Sequence, residues 1–89
     1  MKKSIQRRAL HRLKIIEGQV RGLQKMVESE QYCIDIITQS LAVKEALSGV
    51  EDLILENHLA THVVEQMKSG KGSRAAKEIL AVYKLSKKK

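Results

Sequence analysis

The chain predicts an all-α fold, and three observations carry that expectation. Its 89 residues contain no Pro and only 2 % aromatic residues, whereas β domains draw on aromatics and turn prolines. Apolar residues recur at alternating steps of four and three, which is the helical period. Only one clear breaker cluster, Ser69-Gly70-Lys71-Gly72-Ser73, interrupts the pattern.

The first helix is expected over about 5–28. Its stripe is Ala9, Leu13, Ile16, Val20, Leu23 and Val27, a heptad-like seam of the kind that meets a partner helix. Gly18 and Gly22 lie inside it, each costing ~1 kcal/mol against Ala; close packing against another helix would account for them. Ser29 to Tyr32 form a short polar connection. The second helix, about 32–66, carries Ile36, Ser40, Val43, Leu47, Val50, Ile54, Asn57, Thr61 and Val64 at the same spacing. Ile34, Ile37, Leu41 and Leu53 widen this stripe to more than one face. At ~1.5 Å per residue the helix is roughly 50 Å long, which predicts partners from another chain. Gly70 suits the residue just past the end of that helix, and Ser73 suits the N-cap of a third helix over about 73–85, with Ala76, Ile79, Leu80 and Tyr83. The basic tail 86–89 follows, with Lys87–Lys89 expected to be disordered. The whole of 1–89 reads as one domain, short enough to be marginal as a monomer.

Charge is sorted along the chain. The net charge is +7. Residues 1–27 hold eight bases against one acid, 28–65 eight acids against one base, and 66–89 eight bases against one acid. Paired basic segments are the footprint of a polyanion binder. Arg7, Arg8, Arg12, Lys14 and Arg21 are the candidate phosphate contacts. Two Tyr are too few for base-stacking platforms, which argues against single-stranded RNA. A basic amphipathic membrane-surface module is the alternative from a different class, although the first helix lacks Trp and Phe. No run approaches the ~18 apolar residues of a span. Met1-Lys2-Lys3 has the charge of a signal n-region but no apolar h-region follows, so a cytoplasmic location is expected. One Cys cannot form an internal disulfide.

The chemistry rests on one Cys and two His. His58 and His62 share a helix face at i, i+4, a clamp spacing for a metal. Taken alone, they read equally as solvated residues on a polar helix end, and Cys33 as a small buried hydrophobe. Cys33 lies roughly 37 Å from His58 along a straight helix, so one protomer does not unite the three. Two antiparallel copies do. With Cys33 opposite the centre of the His pair, Ser40 faces Leu53, Val43 faces Val50, and Ala46 faces Leu47. Ala46 and Gly49 are small enough for close approach near the axis. The register that metal geometry requires is also one that joins apolar stripes. A two-fold dimer then has two equal Cys33–His58–His62 sites. An enzyme is not expected: Cys33 and the two His offer a nucleophile and a base, but no acid orients them and no oxyanion loop is evident.

The string Arg12-Leu13-Lys14-Ile15-Ile16-Glu17-Gly18-Gln19-Val20-Arg21-Gly22, with Tyr32-Cys33-Ile34-Asp35 and Glu56-Asn57-His58, resembles the CsoR/RcnR family of bacterial metal- and stress-sensing repressors over roughly 5–85. The resemblance implies a three-helix protomer, an antiparallel four-helix-bundle dimer and a dimer-of-dimers homotetramer. It also implies operator DNA bound without a helix-turn-helix and released by the inducer. Cys33 and His58 match the ligands of copper-sensing members, and His62 stands where those have a second Cys. Tyr32 and Glu78 match positions behind the ligands that link the site to the third helix. The nickel/cobalt branch shares Cys-His-His but adds an N-terminal His; here that position falls on Met1, and His11 is the one spare His. The formaldehyde branch uses a Pro amine, absent here, and the persulfide branch two Cys. One thiolate and two imidazoles suit Cu(I); Zn(II) wants a fourth ligand, and Ni(II) or Co(II) more nitrogen or oxygen donors, which Glu28 and Glu30 could supply. Cu(I) therefore ranks first, then Ni(II) or Co(II), then Zn(II). Metal binding deprotonates the thiol, so affinity is expected to fall at low pH.

Overall fold

The computed structural model describes residues 1–87, and every described element is helical. In order these are α1 (Lys3–Glu28), α2 (Cys33–His58), a five-residue π-helical turn (Leu59–Val63), α3 (Val64–Lys68) and α4 (Gly72–Ser86). Helical backbone is unbroken from 33 to 68, so α2, the π turn and α3 together are the long second helix. The protomer is thus an all-α chain of three helices. The chain divides into two compact units, Met1–Leu55 and Glu56–Lys89.

In the first unit α1 packs on α2 through Ala9, Ile16, Val43, Val50 and Leu53, with Ile5, Leu23 and Ala46 partly buried against them. These positions recur at helical spacing, which is why the two stripes meet. Arg12 adds a polar tie: its Nη1 donates to the Gly49 carbonyl at 3.3 Å. A Cβ at Gly49 would sit 3.7 Å from that nitrogen, in ordinary contact. A Cβ on Gly18 or Gly22 would meet nothing within 4 Å, so neither glycine serves the packing of α1 on α2.

Both inter-helix turns close in the same way. After α1, the Glu30 amide bonds the Val27 carbonyl and the Gln31 amide bonds that of Met26. After α3, the Gly70 amide bonds the Met67 carbonyl and the Lys71 amide that of Gln66. This is the Schellman pattern, which places one residue in the left-handed region. That residue is Gly70 (φ 79°) in the second turn and Glu30 (φ 52°) in the first. Gly70 takes the role its residue type predicts. Nothing in the sequence marks Glu30 for the same role, since an acidic side chain gives no sign of a left-handed backbone.

Several helix ends differ from the expected bounds by one or two residues. α1 begins at Lys3 rather than 5, α3 ends at Lys68 rather than 66, and α4 runs over Gly72–Ser86 rather than 73–85. Ser73 is not the N-cap. Lys71 holds that position, two residues earlier, without a side-chain cap bond, because the Schellman turn ends at Lys71 and the chain re-enters helix at once. Of the tail expected over 86–89, Ser86 is the last residue of α4, and Lys87 caps it with its Nζ 4.7 Å from the Tyr83 ring centre. Lys88 and Lys89, expected to be disordered, lie outside the described residues.

Candidate metal centre and basic surface

His58 is the last residue of α2, and His62 lies in the π turn that follows. The Thr61 hydroxyl donates to the Asn57 carbonyl at 2.8 Å. Such back-bonding to the preceding turn competes with the helical ladder; Thr38 makes the same bond to the Ile34 carbonyl within regular α2, so the bond accompanies the π turn without producing it alone. Wider turns of this kind often occur at functional sites. The two imidazoles meet edge to face, with ring centres 5.2 Å apart and planes at 66°. Their Nδ1 atoms face each other at 3.2 Å.

The second nitrogen of His58 faces α4. Its Nε2 lies 3.8 Å from Glu78 Oε2, longer than a hydrogen bond. The other Glu78 oxygen accepts from Arg74 Nε at 3.2 Å. Glu78 therefore stands between a guanidinium one turn earlier on α4 and the imidazole at the end of α2. Asn57 and Ala75 are both buried in this unit. Asn57 Oδ1 is enclosed there without a hydrogen-bond partner.

Cys33 is the first residue of α2 and is exposed, with a free thiol. Among the described residues of one protomer, no three His, Cys, Asp or Glu side chains gather as a metal cluster. His58 thus neighbours His62 through one ring nitrogen and Glu78 through the other, while Cys33 and Tyr32 belong to the other unit. The Tyr32 carbonyl accepts the first bonds of α2, from the amides of Asp35 and Ile36, and its side chain is exposed. His11 lies exposed on α1.

The candidate phosphate contacts are all exposed on α1, but they divide. At about 100° per residue, Arg7, Lys14 and Arg21 fall on the face opposite the buried Ala9 and Ile16. Lys3 and Lys25 share that face and complete a five-cation stripe that is missing from the five candidates named on sequence. Helical-wheel arithmetic is the signal that finds both. Arg8 and Arg12 sit on the flank instead, and Arg12 spends one donor on Gly49. Arg21 pairs with Glu17 at 3.5 Å, an exposed i, i+4 contact of little energetic weight. No described helix is long and apolar enough to cross a membrane.

Residues 5–85 match the family described as metal-sensitive transcriptional repressors. The chain is 49 % identical over 74 residues to the copper-sensing transcriptional repressor CsoR of Bacillus subtilis, covering 83 % of this chain and 73 % of that protein. It is 39 % identical over 77 residues to the copper-sensing repressor RicR of Mycobacterium tuberculosis, covering 83 % and 80 %. The crystal structure of the copper-sensing repressor CsoR with Cu(I) from Geobacillus thermodenitrificans superposes with a TM-score of 0.88 at 42 % identity, over 99 % of this chain and 91 % of that one. A repressor family agrees with the expectation that the chain is no enzyme, and the three-helix protomer agrees with that solved structure. On the match across 5–85 and these identities, the chain belongs to the metal-sensitive transcriptional repressors.

Proposed function

We propose that this protein is a cytoplasmic Cu(I)-responsive repressor, a single sensing domain over 1–89 that holds double-stranded operator DNA without metal and releases it when Cu(I) occupies a site between two subunits. The observation that carries the reading is the His58–His62 pair. Its Nδ1 atoms are 3.2 Å apart. Two nitrogens bound to one ion at ~2.0–2.1 Å each and a tetrahedral angle lie about 3.3 Å apart. The rings thus already hold the spacing of a two-toothed clamp.

Cys33 of the partner subunit supplies the thiolate in an antiparallel pairing, although Val43, Val50 and Leu53, which the sequence register set against the second copy, are already buried against α1 of their own chain. The donor set, one soft sulfur and two imidazoles, fits Cu(I), in line with the copper-sensing relatives. Bound there, Cu(I) supplies a link between two polypeptides that neither chain makes alone. His58 then uses Nδ1 as ligand atom and directs Nε2 to Glu78, the usual arrangement that fixes an imidazole's tautomer and orientation. Tyr32 and Glu78 stand behind the ligands, and Glu78 connects His58 to α4.

Two features of the protomer support a dimer and then a homotetramer. Only six apolar side chains are buried among the described residues, a thin core for a chain of this length. A groove lined by Val20, Leu23, Val27, Ile36 and Ser40 stays open beside it, along the seam the second copy covers. On the far face of α2, Ile34, Ile37 and Leu41 are each more than half exposed at i, i+3, i+7, a surface for a second dimer. The stripe of Lys3, Arg7, Lys14, Arg21 and Lys25, with Arg8 and Arg12 on its flank, tracks the phosphates.

The test is titration of the reduced protein with Cu(I), Ni(II), Co(II) and Zn(II) under competing chelator, read by release of labelled operator DNA. Stoichiometric release by Cu(I) at the lowest free-metal concentration is expected. Release by Ni(II) or Co(II) instead transfers the reading to the nickel/cobalt branch. Equal operator affinity with and without every metal overturns it.

A further inference from the structure

Arg74 is neither a proposed metal ligand nor a proposed phosphate contact, yet it holds the carboxylate that serves the metal site. Its Nε donates to Glu78 Oε1 at 3.2 Å, and Glu78 Oε2 stops 3.8 Å short of His58 Nε2. We infer that Arg74 is a positioning residue that restrains Glu78 in the metal-free protein and so sets how readily His58 is made a ligand. This inference rests on the reading of His58 as a ligand through Nδ1.

The physical argument is a competition for one acceptor. When Nδ1 is given to a metal, the proton of the imidazole must sit on Nε2, and that N–H needs an acceptor. Glu78 is the carboxylate facing it. A hydrogen bond requires about 2.7–3.2 Å, so the carboxylate must advance by roughly half an ångström or more. Arg74 opposes that advance, because its guanidinium already holds Glu78 Oε1 at 3.2 Å, and moving the carboxylate toward His58 stretches a charge-assisted bond that is already long. The side chains of Arg74 and Glu78 are 67 % and 40 % exposed, which keeps the restraint small. A small restraint suits a sensor, since it shifts the metal threshold without closing the site.

Arg74 also differs from its basic neighbours. Lys68, Lys71 and Lys77 have no ion-pair partner among the described residues, whereas Arg74 is tied to Glu78. Lys77 therefore controls for loss of one positive charge near the start of α4 without loss of the tie.

The experiment measures Cu(I) affinity of DNA-free, reduced protein for the wild type, Arg74→Gln, Lys77→Gln, Glu78→Gln and the double variant R74Q/E78Q. Helical circular dichroism checks that each variant is folded. Arg74→Gln is expected to tighten Cu(I) binding about two- to fivefold, the size of an exposed ion pair, and Lys77→Gln to leave it unchanged. Adding R74Q to E78Q is expected to change nothing, because the shared acceptor is gone. A second readout needs no metal: the 15N resonance of His58 Nε2 in the metal-free protein moves toward that of a hydrogen-bonded N–H in R74Q and not in K77Q. Unchanged or weaker Cu(I) binding in R74Q overturns the inference. So does a gain that K77Q reproduces or that persists in the E78Q background, since either makes it a charge effect. If His58→Ala binds Cu(I) as the wild type does, the ligand reading itself fails and takes this one with it, and that arm separates the two failures.

Discussion

His58 offers different partners to its two ring nitrogens, and that division is the finest detail on which the proposed sensing rests. Nδ1 faces His62 and Nε2 faces Glu78. Replacing Glu78 by Gln keeps the shape and removes the charge that favours an N–H at Nε2. Partners behind a ligand typically matter 10–100-fold; because Glu78 is still 3.8 Å away, the low end is expected, about tenfold weaker Cu(I) binding in a chelator competition. Cys33→Ser has a different consequence. The thiol is exposed and packs against no core, so helical content and melting should stay as in the wild type. Cu(I)-dependent release of operator DNA should be lost, as measured by fluorescence anisotropy. The spacing of His58 and His62 is legible in the sequence because four residues return to the same helix face. The facing of their Nδ1 atoms is not, since helical period does not set the ring rotamers. Glu78 enters from sequence only through a family resemblance, and Arg74 not at all: nothing local to either residue hints that α4 returns to the end of α2.

Helices themselves are readable from period and breakers, and what escapes is how they end and where they loosen. Apolar stripes at steps of four and three fix a helix wherever they run, but they say nothing of which residue turns left-handed. Gly70 does so without a Cβ to clash. Gly70→Ala should cost about 1–2 kcal/mol, the penalty of that backbone region for an L side chain, read as a lowered midpoint in urea unfolding. Glu30 bears such a penalty natively, so the two closures of identical pattern predict opposite responses: Glu30→Gly should leave stability unchanged or raise it in the same assay. The π turn is equally hidden. A bond from the Thr61 hydroxyl spans into it, and period alone makes Thr61 only a member of the apolar stripe. Thr61→Val keeps the volume and removes the bond to the Asn57 carbonyl. A bond of this kind is worth about 0.5–1.5 kcal/mol. If it sustains the wider turn, and the turn sets the 3.2 Å spacing, Cu(I) affinity should fall roughly 2–10-fold while overall helicity holds. Unaltered affinity would show that the clamp does not depend on the π turn.

At the scale of the whole molecule, an apolar surplus and a basic surplus lie on different surfaces, and each makes a demand that one protomer does not meet. Ile34, Ile37 and Leu41 leave an apolar strip on the outside of α2. Under the proposed assembly, Leu41→Glu places a charge in the contact between dimers, so sedimentation equilibrium should show dimers where the wild type is tetrameric, with the Cu(I) sites retained. The basic stripe makes the second demand. Lys3, Arg7, Lys14, Arg21 and Lys25 recur along one face of α1, which is legible as excess charge in residues 1–27 but sorts into stripe and flank only once the buried face is known. A long row of cations binds chiefly by counterion release, and log affinity should fall linearly with log salt, by about 0.9 for each phosphate neutralised. Lys14→Gln removes a cation from the middle of the stripe with no ion-pair partner among the described residues. It should weaken operator and random DNA by similar factors and flatten the salt slope by roughly 0.9 for each phosphate that is no longer neutralised. Arg12→Gln should differ, because Arg12 also ties α1 to the Gly49 carbonyl. It should lower thermal stability as well as DNA affinity. A protein whose operator affinity ignored Lys14 while responding to Lys77 would have its phosphate-tracking face on α4, and the assignment of α1 as the DNA surface would fall.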